Sequence, residues 1–239
     1  MDKTKKLLNK GTSVVKSHKI IVGIILLIVL SVIIYYTLFK KEKKSGKYIQ
    51  KNSVSKYLFF PKDHPSNEPY KIEQAYIRNP TNGEMSMSVF VKVNNWYENF
   101  DSWKHILHKG TQIATETNKT FKSLRYQSPG LWFHPKINNL RFVLSVYNDF
   151  KFKHKYCDIS NIPIGKYFHI VFTVEGTTLS IFINKKLVKT CVFDGIPILT
   201  EGDIYVNYGV SYNGLIKNLQ FFDRVLPVKE IENLYSKYY

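Results

Sequence analysis

The chain is short of cysteine: Cys157 and Cys191 are the only two in 239 residues. Two cannot build a disulfide scaffold, and neither lies in a motif that would make it a nucleophile or a metal ligand. A single bridge and two half-buried free thiols both remain open, so cysteine usage does not fix the redox compartment. Acidic residues are also scarce, with 18 Asp and Glu against 35 Lys and Arg, a formal charge of +17. Such an excess invites a nucleic-acid reading, but its placement argues otherwise. Residues 1–19 carry six lysines against Asp2, a net of +5, and residues 40–56 carry seven against Glu42, a net of +6, so +11 of the +17 lies in two short segments. The remaining +6 is spread over residues 57–239, so no nucleic-acid groove is expected. Internal repeats and low-complexity segments are absent too.

One long apolar run is present, Ile20–Phe39, with no charge and only Gly23, Ser31 and Thr37 as small or weakly polar interruptions. At about 1.5 Å per residue a helix of that length covers roughly 30 Å, the thickness of a bilayer's hydrocarbon core. The run predicts a single-pass transmembrane helix with the lipid bilayer as partner. No A-x-A-like cleavage site follows it, so it reads as a signal-anchor and not as a cleaved leader. Tyr35, Tyr36 and Phe39 suit one headgroup level, and lysines on both sides suit anionic headgroups. With six lysines before the run and seven after it, the positive-inside rule gives no orientation. The expected organisation is a basic tail (1–19), the helix (20–39), a polar basic tether (40–56) and one domain (57–239).

From Tyr57 the pattern changes to short runs rich in Val, Ile, Phe and Tyr, separated by Pro, Gly, Asn and Asp. Strands are expected near Lys71–Ile77, Glu84–Val93, His105–His108, Leu131–Phe133, Leu140–Tyr147, Lys151–Cys157, Tyr167–Val174, Leu179–Asn184, Leu187–Phe193, Asp203–Tyr208 and Leu215–Asp223. That density means an all-β sandwich or barrel. One soluble helix is expected, Pro227–Lys237, with Val228, Ile231, Leu234 and Tyr235 on one stripe. Asp223 and Arg224 are expected to brace the turn into it as a local ion pair.

Two stretches carry a family resemblance. YFHIVFTVEGTTLSIFINKKLV (Tyr167–Val188) and NGLIKNLQFFDRVLPVKEIENLY (Asn213–Tyr235) resemble the paired central strands and the closing pattern of laminin-G-like domains. WKHILHKG (Trp103–Gly110) and SPGLWFHPKINNLRFVLS (Ser128–Ser145) resemble the opening strands of the same domains. The chain is thus similar to the concanavalin A-like lectin/glucanase superfamily. The resemblance implies a two-sheet antiparallel jelly-roll sandwich with a short C-terminal helix, following the transmembrane helix. It departs from the family pattern at Tyr167 (usually Trp), Lys185 (usually Gly of an Asn-Gly turn) and Pro227 (usually Ser or Thr). None of these changes removes the fold, since Asn184 tolerates a left-handed backbone and Pro still starts a helix.

Enzymatic chemistry finds no support. Glycosidases of this fold place carboxylates as E-x-D-x-E on one strand, and the nearest stretch here, Glu201 to Tyr205, lacks the second Glu. His105 and His108 fall on opposite faces of a regular strand and cannot jointly bind a metal, while His169 matches a position that is usually structural. For the calcium ion that some relatives hold, Asp101, Asp149, Asp158 and Asp194 are candidates by residue type alone, and no spacing selects one. No cofactor is expected. A lone sequon, Asn118–Thr120, matters only in a secretory lumen.

What remains is recognition. Aromatic rings are the usual means by which such jelly rolls stack on sugars, and the Asn-rich loop NNWYENFDSW offers Trp96, Tyr97 and Phe100. Trp103 and Trp132 read as core. The expected function is a non-enzymatic, membrane-anchored module that displays a lectin-like sandwich to a glycan or protein ligand. An alternative is a structural protein of a virion, linking an internal membrane to capsid neighbours; the Lys, Asn, Ile and Tyr bias suits the AT-rich genome of a large DNA virus. A divergent glycan-processing enzyme is the third reading. A glycan array separates the first from the second.

Overall fold

The computed structural model describes residues 23–34, 48–52, 55–77, 79–80, 82–111, 122, 124–199 and 202–239. Two compact units, 1–47 and 48–239, are distinct. In the first, residues 23–34 form a helix, α1, and its Ile, Leu and Val side chains are exposed. Among the described residues no helix is long and apolar enough to cross a membrane. The remainder of the span expected over Ile20–Phe39, and the sequon at Asn118, lie outside the described residues.

The second unit is a sandwich of two sheets whose paired strands all run antiparallel. Sheet I takes the order β1(Ile49–Asn52), β2(Lys56–Phe59), β15(Asn213–Phe222), β5(Glu84–Asn95), β10(Tyr167–Glu175), β11(Thr178–Ile183), β12(Lys186–Val192), with β3(His64–Pro65) beside β15. Sheet II takes the order β13(Ile196–Pro197), β8(Asn139–Asn148), β7(Gln127–Phe133), β6(Lys104–Gly110), β14(Ile204–Val206), β4(Tyr70–Ile72), with β9(Lys151–Ser160) beside β8. The core lies between them. Met87, Val89 and Val91 of β5 and Ile170, Phe172 and Val174 of β10 meet Leu140, Phe142 and Leu144 of β8 and Leu131 and Phe133 of β7. The alternation read from the sequence at Ile170 to Ile181 is the period-2 rule of a strand with one face against a core.

Two expectations change, and one open question is decided. Strand β1 and the start of β2 fall in the stretch expected to be a tether; an edge strand needs few apolar side chains, so its composition looks like a linker. The strand expected over Lys71–Ile77 stops at Ile72 and gives way to a 3₁₀ turn, Gln74–Tyr76. Cys157 and Cys191 form a disulfide that joins β9 of sheet II to β12 of sheet I. They lie 34 positions apart in sequence, which is why local sequence left the pairing open.

The C-terminal helix α2 spans Val228–Tyr238 with Pro227 as its extended N-cap, not its first helical residue. It lies on the outer face of sheet I, where Ile231 and Leu234 pack with Val171, Phe182, Phe222 and Leu226. Val228, expected on that stripe, is exposed, and Tyr238 packs there instead. The brace on the preceding turn runs from Arg224 Nη2 to Glu230 Oε2, 2.7 Å, in the first turn of α2.

Candidate recognition site

The loop between β5 and β6 is built from backbone turns and is tied down on both sides. Phe100 N–H donates to Tyr97 O (3.1 Å) and Ser102 N–H to Asn99 O (3.2 Å), while Asn99 and Asp101 take left-handed backbones that their short polar side chains tolerate. Asn99 Nδ2 donates to Ser211 O (2.9 Å) and Asn213 Nδ2 to Glu98 Oε2 (2.6 Å). On the other side Asp101 N–H donates to Pro135 O (3.3 Å) and Lys136 pairs with Asp101 (3.0 Å).

Within this frame the three candidate residues separate. Tyr97 is 75% exposed and Phe100 50% exposed, with ring centroids 6.3 Å apart and tilted by 33°. Trp96, by contrast, is 6% exposed and packs edge-on against Phe133 in the core, centroids 5.4 Å apart. It anchors the loop and takes no part in an exposed platform. Period 2 explains the difference: Trp96 continues the inward register of Val91 and Val93 after one irregular step, and its apolar area dominates its placement.

Beside that loop, the outer face of sheet II carries a cluster that single residue types did not reveal. Arg141 of β8 makes a bidentate pair with Asp158 of β9, at 2.8 and 2.6 Å, directly across the strand pair. Its guanidinium carbon lies 4.7 Å from the Trp103 ring and 4.8 Å from the Tyr156 ring, so the cation lies against both aromatics. The Asp158 hydrogen bond strengthens its protonation further. His134 stands edge-on to Trp103 at 5.0 Å, and burial followed by the Arg141 charge lowers its pKa. The loop of His134 and Pro135 thereby joins this cluster to the Tyr97–Phe100 loop. Trp103, expected to be core, is half-buried at its rim, whereas Trp132 is fully buried.

Below the rim lies the largest departure from the sequence reading. His105 pairs with Trp132 and Leu107 with Leu131, so Ile106 is an extra residue and β6 bulges there. The bulge reverses the parity of the strand, and His105 and His108 point to the same face. Tyr208 N–H donates to His105 Nδ1 (3.0 Å), His105 Nε2–H to His108 Nδ1 (2.8 Å) and His108 Nε2–H to Thr111 O (2.9 Å). The amide at one end and the carbonyl at the other assign both rings as neutral Nε2–H tautomers. Burial drives both pKa values down, to about 4 for His108 and well below the ordinary value for His105. His108 stacks on Tyr205, and Trp132 Nε1 donates to Gln127 Oε1 at 3.0 Å. Gly130 leaves room for that bond, because a Cβ there would overlap Gln127 Oε1.

His169, on the outer face of sheet I, bonds Ser88 Oγ through Nε2 at 2.8 Å and is stacked on Phe90 beneath α2. The four aspartates considered for calcium each pair with a cation: Asp101 with Lys136, Asp149 with Lys153, Asp158 with Arg141 and Asp194 with Lys155. Among the described residues no group of three or more His, Cys, Asp or Glu is arranged to hold a metal. Asp203, from the partial glycosidase pattern, accepts Gln74 N–H (2.8 Å) and pairs with Lys71 (3.2 Å).

Two antiparallel sheets, a closing helix and an aromatic loop at one end define a jelly-roll domain of the lectin type. The profile of the Concanavalin A-like lectin/glucanases superfamily matches residues 67–232, and the chain belongs to that superfamily. Solved structures share its fold at low identity. The binding domain of botulinum neurotoxin DC in complex with rat synaptotagmin II is 16% identical, with a TM-score of 0.55 over 81% of this chain and 46% of that one. The ligand binding domain of botulinum neurotoxin serotype D in complex with N-acetylneuraminic acid is 15% identical, with a TM-score of 0.54 over 79% and 44%. This chain therefore covers less than half of either. No curated protein sequence matches it.

Proposed function

We propose that residues 48–239 form a non-enzymatic recognition module whose ligand, a glycan or a protein, is taken by the Tyr97–Phe100 loop and the neighbouring Trp103–Arg141–Tyr156 cluster. The observation that carries this is the exposed, tilted pair of Tyr97 and Phe100 on a loop braced from both sides. Rigid aromatic rings lose little conformational freedom on binding, and a sugar's apolar face or a partner's side chain stacks on them without a new cavity. The stacked Arg141–Asp158 pair supplies polar groups with fixed directions beside them. The two botulinum domains support this reading only by analogy of fold, one being in complex with a protein and the other with a sialic acid.

The second part of the proposal is the anchor. The uncharged run Ile20–Phe39 with lysines on both sides supports single-pass attachment to a bilayer. The disulfide between the sheets supports display of the sandwich on an oxidising side of that membrane.

A glycan array and a protein-capture screen with the full chain in detergent test the module. Tyr97→Ala with Phe100→Ala should abolish the saturable signal while the melting temperature stays unchanged. Binding that survives the double change would move the site elsewhere. Extraction at alkaline pH tests the anchor, and release of the chain into the supernatant would remove it.

A further inference from the structure

The hairpin between β8 and β9 turns on Asp149 and Phe150, both left-handed, with φ of 49° and 60°. A two-residue turn of this hand favours Asn-Gly or Asp-Gly, and a phenylalanine in the glycine position is conformationally costly. Nothing within the fold offsets that cost, because Phe150 is 93% exposed at the extreme tip of the hairpin. Its apolar surroundings continue down one face. Phe152 and Tyr147 are cross-strand partners with ring centroids 5.3 Å apart, Tyr126 stands edge-on to Phe152 at 5.0 Å, and Ile196, registered against Tyr147, is 71% exposed.

The opposite face of the same strand is basic. Lys151, Lys153 and Lys155 alternate with Phe152 and His154, while Arg125 lies over Tyr126 on the aromatic side. Asp149 and Asp194 pair with Lys153 and Lys155, which leaves these four cations in excess over two carboxylates. A narrow turn ending in an aromatic wedge, with tyrosines behind it and cations along its flank, matches the layering of a bilayer surface: acyl chains, headgroup level and anionic phosphates in turn. A protein partner would have to close over a protruding tip, whereas a lipid surface admits one.

We infer that the β8–β9 hairpin is a lipid-contact site that inserts Phe150 into an anionic phospholipid surface. This contact does not depend on the N-terminal apolar run.

The test uses the full chain carrying Phe150→Cys labelled with an environment-sensitive fluorophore; the native cysteines are bonded to each other, so the label reports residue 150. Samples are floated with vesicles of phosphatidylcholine alone or mixed with phosphatidylserine, each containing lipid with brominated acyl chains. The inference requires blue-shifted, bromine-quenched emission with phosphatidylserine, reduced several-fold by Lys151→Glu with Lys153→Glu. Emission that stays aqueous and unquenched in a chain that floats overturns the hairpin contact and leaves the anchor standing. A chain that floats, with its probe quenched, only when phosphatidylserine is present upholds the hairpin and removes the anchor. A blue shift that grows with protein concentration in lipid-free detergent, without quenching on vesicles, makes the tip a protein contact and also overturns it. As a second variant, Phe150→Gly should melt no lower than the parent chain.

Discussion

His105 Nε2 donates to His108 Nδ1 at 2.8 Å, although the two residues would face opposite sides of a regular strand. The chain that runs from Tyr208 N–H through both rings to Thr111 O has one proton for each link and no place for another. Protonating either ring sets two donors against each other, which adds to the burial that already disfavours the cation.

This relationship predicts a pH dependence. The folded pKa values of His105, His108 and His169 lie below the ordinary 6.5, at about 4 for His108 and about 3 for His169. Between those values and 6.5 the unfolded chain binds more protons than the folded one, so stability is full above 6.5 and falls as the pH drops through this window. Each histidine is expected to cost the fold about 3 kcal/mol between about pH 7 and pH 4, at roughly 1.4 kcal/mol per pH unit. Urea midpoints at closely spaced pH values check it, and a flat profile between pH 7.5 and 5.5 would refute the neutral buried pair.

The disulfide between β9 and β12 should be a major stabiliser, because it closes a long loop across both sheets. With the cysteines 34 positions apart, loss of the bond is expected to cost about 3 to 4 kcal/mol through the entropy of the unfolded chain. Thermal melts of Cys157→Ala with Cys191→Ala, set against the parent chain with and without reductant, measure this. Equal melting temperatures in all three would mean that the bond is inert.

Helix α2 closes the outer face of sheet I by way of two residues. Ile231 and Leu234 are buried, so Ile231→Ala and Leu234→Ala should each cost about 2 to 4 kcal/mol. Glu232, paired at 3.6 Å with Lys229 on the surface, should be replaceable by Ala at almost no cost. If the two apolar changes were neutral in melts while ligand binding was lost, the stripe would be a docking surface.

Lys104 is 1% exposed, and its ammonium lies 5.0 Å from the Trp96 ring without a hydrogen bond. Burial lowers its pKa. A buried charge with only a ring for company is a cost to the fold, so Lys104→Met, which keeps the length of the side chain, should stabilise by about 1 to 3 kcal/mol. Destabilisation by a similar amount would show that the amine has a structural duty that geometry alone does not reveal.

Much of this architecture was legible in residue patterns. The alternation of Ile170, Phe172 and Val174, the closing stretch Asn213–Tyr235 and the stripe of Ile231 and Leu234 each depend on neighbours within a few positions, where period and composition act directly. Of the proposed aromatics, Tyr97 and Phe100 are exposed as the loop's composition suggested.

Tertiary structure decided the rest, because each remaining feature depends on a contact between distant positions or on a single inserted residue. Only the sheet pairing shows that Trp96 turns inward against Phe133, that Arg141 meets Asp158 between Trp103 and Tyr156, and that Cys157 faces Cys191. The bulge at Ile106 shows the limit most clearly. One residue without a partner in the ladder changes the side to which every later side chain points, and nothing local to KHILHKG records which residue β7 leaves unpaired.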